Sequence, residues 1–343
     1  PGVRETHILE RGHYENRGEV VQRATPEVLT PFPNGAPRDR LGLAEWLTNA
    51  DHPLLARVTV NRYWQMIFGR GLVSTSEDFG MQGNPPTHPE LLDWLARDLI
   101  SSGWNLHHLL KKMVLSHTYR QESRIIPLAQ EKDPENLLLS RSSAYRLPAE
   151  MIRDGLLSHS QLLHKKIGGP SSKPYDLNVS FKPIHPDEAP NVYRRSIYTF
   201  WKRTGPTPVM MALDASKRDV CTVRRERTDS PSQSLILLNG TQFVEAARAL
   251  ADQLIAKHGE NNPMGLINDA FRQLTSRYPS EEEAVILLNL LREQKEYFTD
   301  SKEADKFLLV GYYKAKSNNP SNLAAVTSMI STLMNFDGTL SKR

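Results

Sequence analysis

Cysteine is nearly absent: Cys221 stands alone among 343 residues. A single thiol excludes an internal disulfide framework, a Cys-rich zinc site and an iron–sulfur cluster. The lack of C-x-x-C-H excludes covalent haem attachment within this chain. A lone cysteine of this kind is expected to be buried as a small apolar side chain. Long apolar runs are missing too, and none approaches the roughly 18 residues of a membrane span. The opening Pro1-Gly2-Val3-Arg4 has no basic region followed by an apolar core. No signal peptide is read there, and the chain is expected to be a piece of a longer polypeptide. Walker A, G-x-G-x-x-G, G-x-S-x-G and H-E-x-x-H patterns do not occur. Nucleotide-cofactor, serine-hydrolase and zincin chemistry therefore have no sequence support, and no metal site is assigned.

Charge is close to balanced, with 43 Lys and Arg against 39 Asp and Glu, a net of +4. That is too small for a general nucleic-acid coat, so nucleic acid is not expected as a partner. The positive charge is concentrated instead. Arg194, Arg195, Lys202, Arg203, Lys217, Arg218, Arg224, Arg225 and Arg227 lie in one stretch with three acids, Asp214, Asp219 and Glu226. A local excess of this size attracts an anionic ligand, an acidic partner or a polyanion.

Periodicity predicts a mainly α fold with a small central β element and long Pro-rich loops. Residues 1–38 read as an extended N-terminal arm, punctuated by Gly12, Gly18, Pro26, Pro31, Pro33 and Pro37, linking to an upstream domain. Residues 39–167 read as a helical subdomain. Its helices start near Asp39 and Pro53, at Thr87 with Glu90 in capping-box spacing, near Leu106, and at Pro148. On the second helix, Leu54, Leu55, Val58 and Met66 are expected to share the apolar face. Arg57, Asn61 and Gln65 fall at i, i+4 and i+8 as a polar stripe. Residues 168–230 read as a Pro-rich loop from Gly168 to Pro190, then a strand over Val192–Arg203 with Val209–Leu213 as its candidate partner. Residues 231–343 read as a C-terminal helical subdomain. Gly240 divides its first two helices, Ser280 and Glu283 form a capping box, and a last helix starts at Pro320. Trp46, Trp64, Trp94, Trp104 and Trp201 are expected mostly in the core.

Polar and aromatic residues cluster in two places. Asp78-Phe79-Gly80 spells the kinase metal-binding triplet, but no Gly-rich loop or H-R-D loop accompanies it. The simpler reading is an Asp-capped turn with Phe79 in the core. His88, Glu90 and Asp93 offer acid/base or ligating groups, yet Glu90 is already explained by capping. Ser116-His117-Thr118-Tyr119-Arg120-Gln121 closes an apolar helix, where His117 and Arg120 would sit near the negative end of the helix dipole.

Several ordered motifs carry a family resemblance. They begin with Arg40 to Leu47, Pro53 to Trp64, Phe68 to Val73, Asp78-Phe79-Gly80 and Pro86 to Leu95. They continue with Ser116 to Gln121, Asp133-Pro134, Arg146 to Asp154 and Gly168-Gly169-Pro170. The last are Arg194-Arg195-Ser196-Ile197-Tyr198, Gln233 to Asn239 and Leu323 to Asp337. Together they resemble the planctomycete-type C-terminal domain of unknown function, found in secreted proteins that often carry an N-terminal c-type cytochrome domain. The resemblance implies an extracytoplasmic (periplasmic or secreted) setting, an upstream domain of the same polypeptide and, often, a c-type haem in that domain. The haem would not be bound in this chain, since Cys221 has no C-x-x-C-H around it, and no cofactor is expected here.

Three functions follow as expectations. The leading one is a C-terminal module of an extracytoplasmic, cytochrome-c-linked protein, which shapes a carbohydrate-related oxidation site or docks a redox domain. The second is a hydrolase or lyase acting on acidic polysaccharide, with Asp78, His88 and Glu90 as candidate acid/base groups. Arg62, Arg120, Arg194, Arg195 and Arg203 would then hold an anionic or carbohydrate ligand. The third is a structural interaction module whose polar motifs are buried hydrogen-bond networks. Arg57, Asn61, Arg62, Asp78, His88 and Asp93 are expected to converge if they form a site. Of the adjacent pair Arg194 and Arg195, one is expected to turn inward and form an ion pair with Asp78, Asp93, Glu150 or Asp154.

Overall fold

The structure, a computed structural model, describes residues 5–175, 185–203 and 205–343. Among these residues the fold is mainly α, with fourteen α-helices and two two-stranded sheets. Among the described residues, no helix is long and apolar enough to cross a membrane. The chain divides into two compact units, Pro1–Ser142 and Ser143–Arg343.

In the first unit, β1 (Thr6–Leu9) pairs antiparallel with β2 (Arg17–Val21) as a hairpin in the arm. The arm then crosses α1 (Arg40–Thr48), where the indole of Trp46 donates to the Thr30 carbonyl at 2.7 Å. Asp39 starts α1 by accepting from the amides of Leu41 and Gly42, which satisfies two of the unpaired donors of a helix start. Gly42 has no room for a side chain, because a Cβ there would lie 2.0 Å from the Pro37 carbonyl oxygen.

The core of this unit lies between α2 (Leu55–Phe68), α3 (Pro89–Ser101) and α4 (Leu106–Leu115). Ala56, Val60, Trp64 and Phe68 recur every fourth residue and form the buried face of α2. This corrects the expected apolar face, since Met66 is exposed. Leu92, Leu95, Ala96 and Leu99 of α3, with Leu109 and Met113 of α4, complete the cluster. Helix α3 is capped at His88 without a side-chain bond, so the expected Thr87–Glu90 capping box does not form. Thr87 instead donates its amide to the Leu72 carbonyl at 2.9 Å, which ties it to the preceding loop. A short α5 (Pro127–Lys132) follows.

The second unit opens with β3 (Tyr145–Arg146) and α6 (Ala149–His159), and continues through α7 (Pro208–Ala212), α8 (Pro231–Asn239) and α9 (Thr241–His258). Then come α10 (Pro263–Thr275), α11 (Glu281–Tyr297), α12 (Ser301–Leu308), α13 (Pro320–Met334) and α14 (Asp337–Leu340). Helices α9 and α13 are buried on nearly every side and pack against each other as the central pair. α11 and α12 cover α13, while α6, α8 and α10 pack on α9. The Ser280–Glu283 capping box is present at α11. β4 (Ser341–Lys342) pairs with β3 and returns the chain end to the start of the unit.

Three expectations change here. Val192–Arg203 is not a strand; it forms two 3-10 turns, Asn191–Tyr193 and Ser196–Tyr198. Its backbone groups are divided between isolated bridges, to His164 and Ser172 among others, and the side chains of α6. Arg153 donates to the carbonyls of Val192 and Arg194, both at 2.8 Å, and Asp154 accepts from the Ser196 amide at 2.8 Å. Val209–Leu213, the expected partner strand, lies mostly in α7, with Pro208 in the first turn. Trp94 is exposed rather than in the core, stacked under the ammonium of Lys112 at 4.7 Å. Within the Pro-rich loop, residues 176–184, including Pro183, lie outside the described residues.

Candidate functional site

The motif residues of the first unit are only partly brought together. The polar stripe of α2 works as a fastener. Arg57 pairs with Asp93 of α3 at 2.6 Å. Buried Asn61 accepts from the Val73 amide at 2.9 Å and donates to the Val73 carbonyl at 3.0 Å, as a paired strand would. Gln65 accepts from the Ser76 hydroxyl at 2.7 Å. The Arg57 guanidinium beside Asp93 holds that carboxyl below its ordinary value. Asp78 closes its own turn by accepting from the Gly80 amide at 2.7 Å, and Phe79 packs on the core. His88 bonds the neighbouring Thr87 hydroxyl at 3.0 Å. Glu90, Arg62 and Arg120 are exposed. The six residues expected to converge thus divide into an Arg57–Asp93 pair, an Asn61 loop anchor and three side chains with separate local roles.

In the second unit the motifs do meet, and they meet in the interior. Arg153 of α6 is 0% exposed, and each of its three guanidinium nitrogens donates. Its acceptors include the Gln242 side chain of α9 at 2.7 Å, the Tyr175 hydroxyl at 3.1 Å, the Ser196 hydroxyl at 3.1 Å and Asp154 at 3.3 Å. Arg194 is buried as well and Arg195 is exposed, so the pair does split. The expected ion pair is not formed. Arg194 donates to the carbonyls of Pro170 and Gly168, both at 2.6 Å, and Lys166 at 3.3 Å, and it stacks on Tyr198. Three carbonyl dipoles replace the carboxylate there. The four candidate acids are engaged elsewhere: Asp78 in its turn, Asp93 with Arg57, Glu150 with Arg225, and Asp154 with Arg153 and Ser196.

A second buried set had no place in the motif reading. Glu245, Arg248 and Asp252 sit at i, i+3 and i+7 on α9 and so share one face. Glu245 accepts from the Tyr193 hydroxyl and the Tyr313 amide, each at 2.6 Å, and from the Tyr312 amide. Arg248 donates to the carbonyls of Leu308, Val310 and Tyr313. Asp252 accepts from the Tyr313 hydroxyl at 2.7 Å and from the Lys316 and Ser317 amides at 2.9 Å. Burial, then the Glu245 carboxylate, pushes the Tyr193 phenol up; burial and Asp252 do the same to Tyr313. Gly311 passes so close to Glu245 that a Cβ would lie 2.2 Å from its carboxyl carbon, and its φ of 70° suits glycine. The spacing Glu-x-x-Arg-x-x-x-Asp among alanines was the available sequence signal.

Outside these networks lies the basic segment. Asp214, at φ 63°, accepts from the Thr228 amide at 2.7 Å, the Thr228 hydroxyl at 2.8 Å and the Gln233 side chain at 3.2 Å. These bonds clasp the base of a surface loop, Asp214–Thr228, in the manner of an Ω-loop. Ser216 and Thr222 bridge it at 3.3 Å. One side of the loop leans on Trp201, whose indole donates to the Lys217 carbonyl at 2.7 Å under the guanidinium of Arg218. The other side leans on α6 and β3 through Arg225–Glu150 at 2.7 Å and Arg227 over Tyr145. Residues 217–229 are exposed throughout. Cys221 is therefore exposed, not buried as expected, because it rides on a loop that never enters the core. Within 194–227, seven cations are exposed against two exposed acids, Asp219 and Glu226.

The exposed guanidiniums of this loop are of the kind that pairs with carboxylates and phosphates. Among the described residues, no group of three His, Cys, Asp or Glu side chains is placed to hold a metal ion. No curated protein and no solved structure matches the chain. The model of the family PSD1, described as a protein of unknown function (DUF1553), matches residues 39–291. That span takes in the α2–α3 fastener, the Arg153 network, the α9 ladder and the basic loop, and it is well over half of the sequence, so the chain belongs to the PSD1 (DUF1553) family.

Proposed function

We propose that the chain is a docking module of a multi-domain extracytoplasmic protein, and that the clasped loop Asp214–Thr228 receives an acidic surface of an upstream domain bearing c-type haem. The observation that carries this reading is the loop itself. It is fixed at its base and on both flanks, yet it presents Lys217, Arg218, Arg224, Arg225 and Arg227 to solvent. Pre-set guanidiniums lose little conformational freedom when they meet carboxylates, and they match carboxylate geometry two bonds at a time. Val220, 73% exposed at the loop tip, adds an apolar contact between the charges. The haem belongs to the partner in this reading, and no cofactor is assigned to the chain.

The test is calorimetric titration of the chain with the polypeptide encoded immediately upstream in the same reading frame. Wild-type affinity is expected to fall as salt rises. The triple variant K217E/V220E/R224E, which leaves the Arg225–Glu150 and Arg218–Trp201 anchors in place, is expected to bind about 100-fold more weakly, as complementary contacts are replaced by repulsion. Unfolding of the same variant by urea reports whether the module is intact. Equal binding by a folded triple variant, or affinity indifferent to salt, would contradict docking through this loop.

A further inference from the structure

A second basic feature lies in the first unit, where the arm folds over the start of α1. A cavity of about 690 Å³ opens there, lined by Arg23, Phe32, Arg38, Arg40, Leu41 and Leu43 among others. Arg23 and Arg38 clasp the two sides of the arm reciprocally. Arg23 donates to the Arg38 carbonyl at 2.9 Å, and Arg38 donates to the Arg23 carbonyl at 2.6 Å. Each clasp uses one nitrogen of a guanidinium that has three. The Arg38 guanidinium also lies 5.6 Å from the centre of the Phe32 ring. Arg40 is the first residue of α1 and brings a third cation to the rim.

Charge in this cavity is not compensated by its own lining. Three cations face one acid there, Asp39, whose Oδ1 accepts from the amides of Leu41 and Gly42 at 2.8 and 3.2 Å. The reciprocal backbone bonds fix two guanidiniums on the same cavity, where an anion would lower their net charge. Beside Thr25, the lining is completed by Ala24, Phe32 and the exposed side chains of Leu41 and Leu43, so the cavity is an open groove with an apolar floor. The volume falls within the range of small-molecule sites. We infer that this cavity binds an organic oxyanion with a flat apolar body: the charged head between Arg23, Arg38 and Arg40, the body on Phe32 and the leucines. Carboxylate and phosphate monoester share the geometry that a guanidinium fork recognises.

The experiment is ligand-observed NMR titration of the full chain with 2-naphthoate, 2-naphthyl phosphate and the neutral 2-naphthamide. At least one anion is expected to bind, roughly tenfold or more tighter than the amide, and which anion wins identifies the head group. R38Q removes both a cation and half of the clasp, so its effect on binding could reflect a displaced arm. R40Q lies outside the clasp and separates the two: it is expected to weaken the preferred anion about fivefold with the stability of the chain unchanged. Absence of anion binding up to about 10 mM would overturn the assignment. So would amide binding as tight as that of both anions, or an R40Q chain that binds like wild type.

Discussion

Replacing Arg153 by methionine is expected to destabilise the chain by about 3–5 kcal/mol, although methionine fills a similar length. The loss is large because the partners stay behind. The carbonyls of Val192 and Arg194, the Gln242 amide oxygen and the Asp154 carboxylate are fixed by other elements and would lose a buried donor together. Arginine to lysine keeps the charge but cannot reach acceptors on three sides at once, so R153K is expected to recover only part of the loss. Urea unfolding of the wild type and both variants checks this. A methionine variant within about 0.5 kcal/mol of wild type would mean that the network is not what holds the 191–198 turns on α6.

Glu245→Ala is expected to have an effect of the same order, about 3 kcal/mol or more, by a different route. It strips one buried oxygen of three donors, the Tyr193 hydroxyl and the Tyr312 and Tyr313 amides. Arg248 stays in place, so its buried charge loses the carboxylate that favours it most. E245Q keeps an oxygen acceptor without the charge and is expected to cost less. A local readout accompanies the global one. The segment 308–317 is held by Glu245, Arg248 and Asp252, so tryptic cleavage at exposed Lys314 and Lys316 should accelerate in E245A under native conditions. Unchanged cleavage with unchanged stability would show that the α9 ladder does not anchor that segment.

The helices that bury a regular face were legible from spacing. Asp39, Gly240, the Ser280–Glu283 box and Pro320 mark helix boundaries by chemistry that acts within four residues. The α2 stripe Arg57, Asn61 and Gln65 was legible as a polar face, but its role as a fastener depended on what α3 and the 73–76 loop place opposite. Val192–Arg203 shows where local reasoning stops. Its β-branched and aromatic residues favour a strand, and a strand needs a neighbour to take its backbone bonds. Here the bonds are divided between isolated bridges to His164 and Ser172 and a helix carrying Arg153 and Asp154, about forty residues earlier in the chain.

The Arg194–Arg195 split was expected from the alternation of side chains along a strand, and it is present although the segment forms 3-10 turns. Its partner did not follow, because carbonyls carry no mark in a sequence. The same limit hid the Asp214–Thr228 clasp, in which a carboxylate meets a backbone amide fourteen residues away. With those contacts known, the basic stretch becomes a defined loop rather than a charge count. Of the acid/base candidates, Asp78 and His88 make local bonds to Gly80 and Thr87, and Glu90 is exposed.

Hydrogen exchange on the complex of this chain with its upstream polypeptide tests the docking account most directly, because it locates the partner on the surface. The account predicts new protection in residues 214–228, with little change at Asp78, His88 and Glu90. Protection centred on Asp78–Glu90, with the 214–228 loop exchanging as in the free chain, would contradict it.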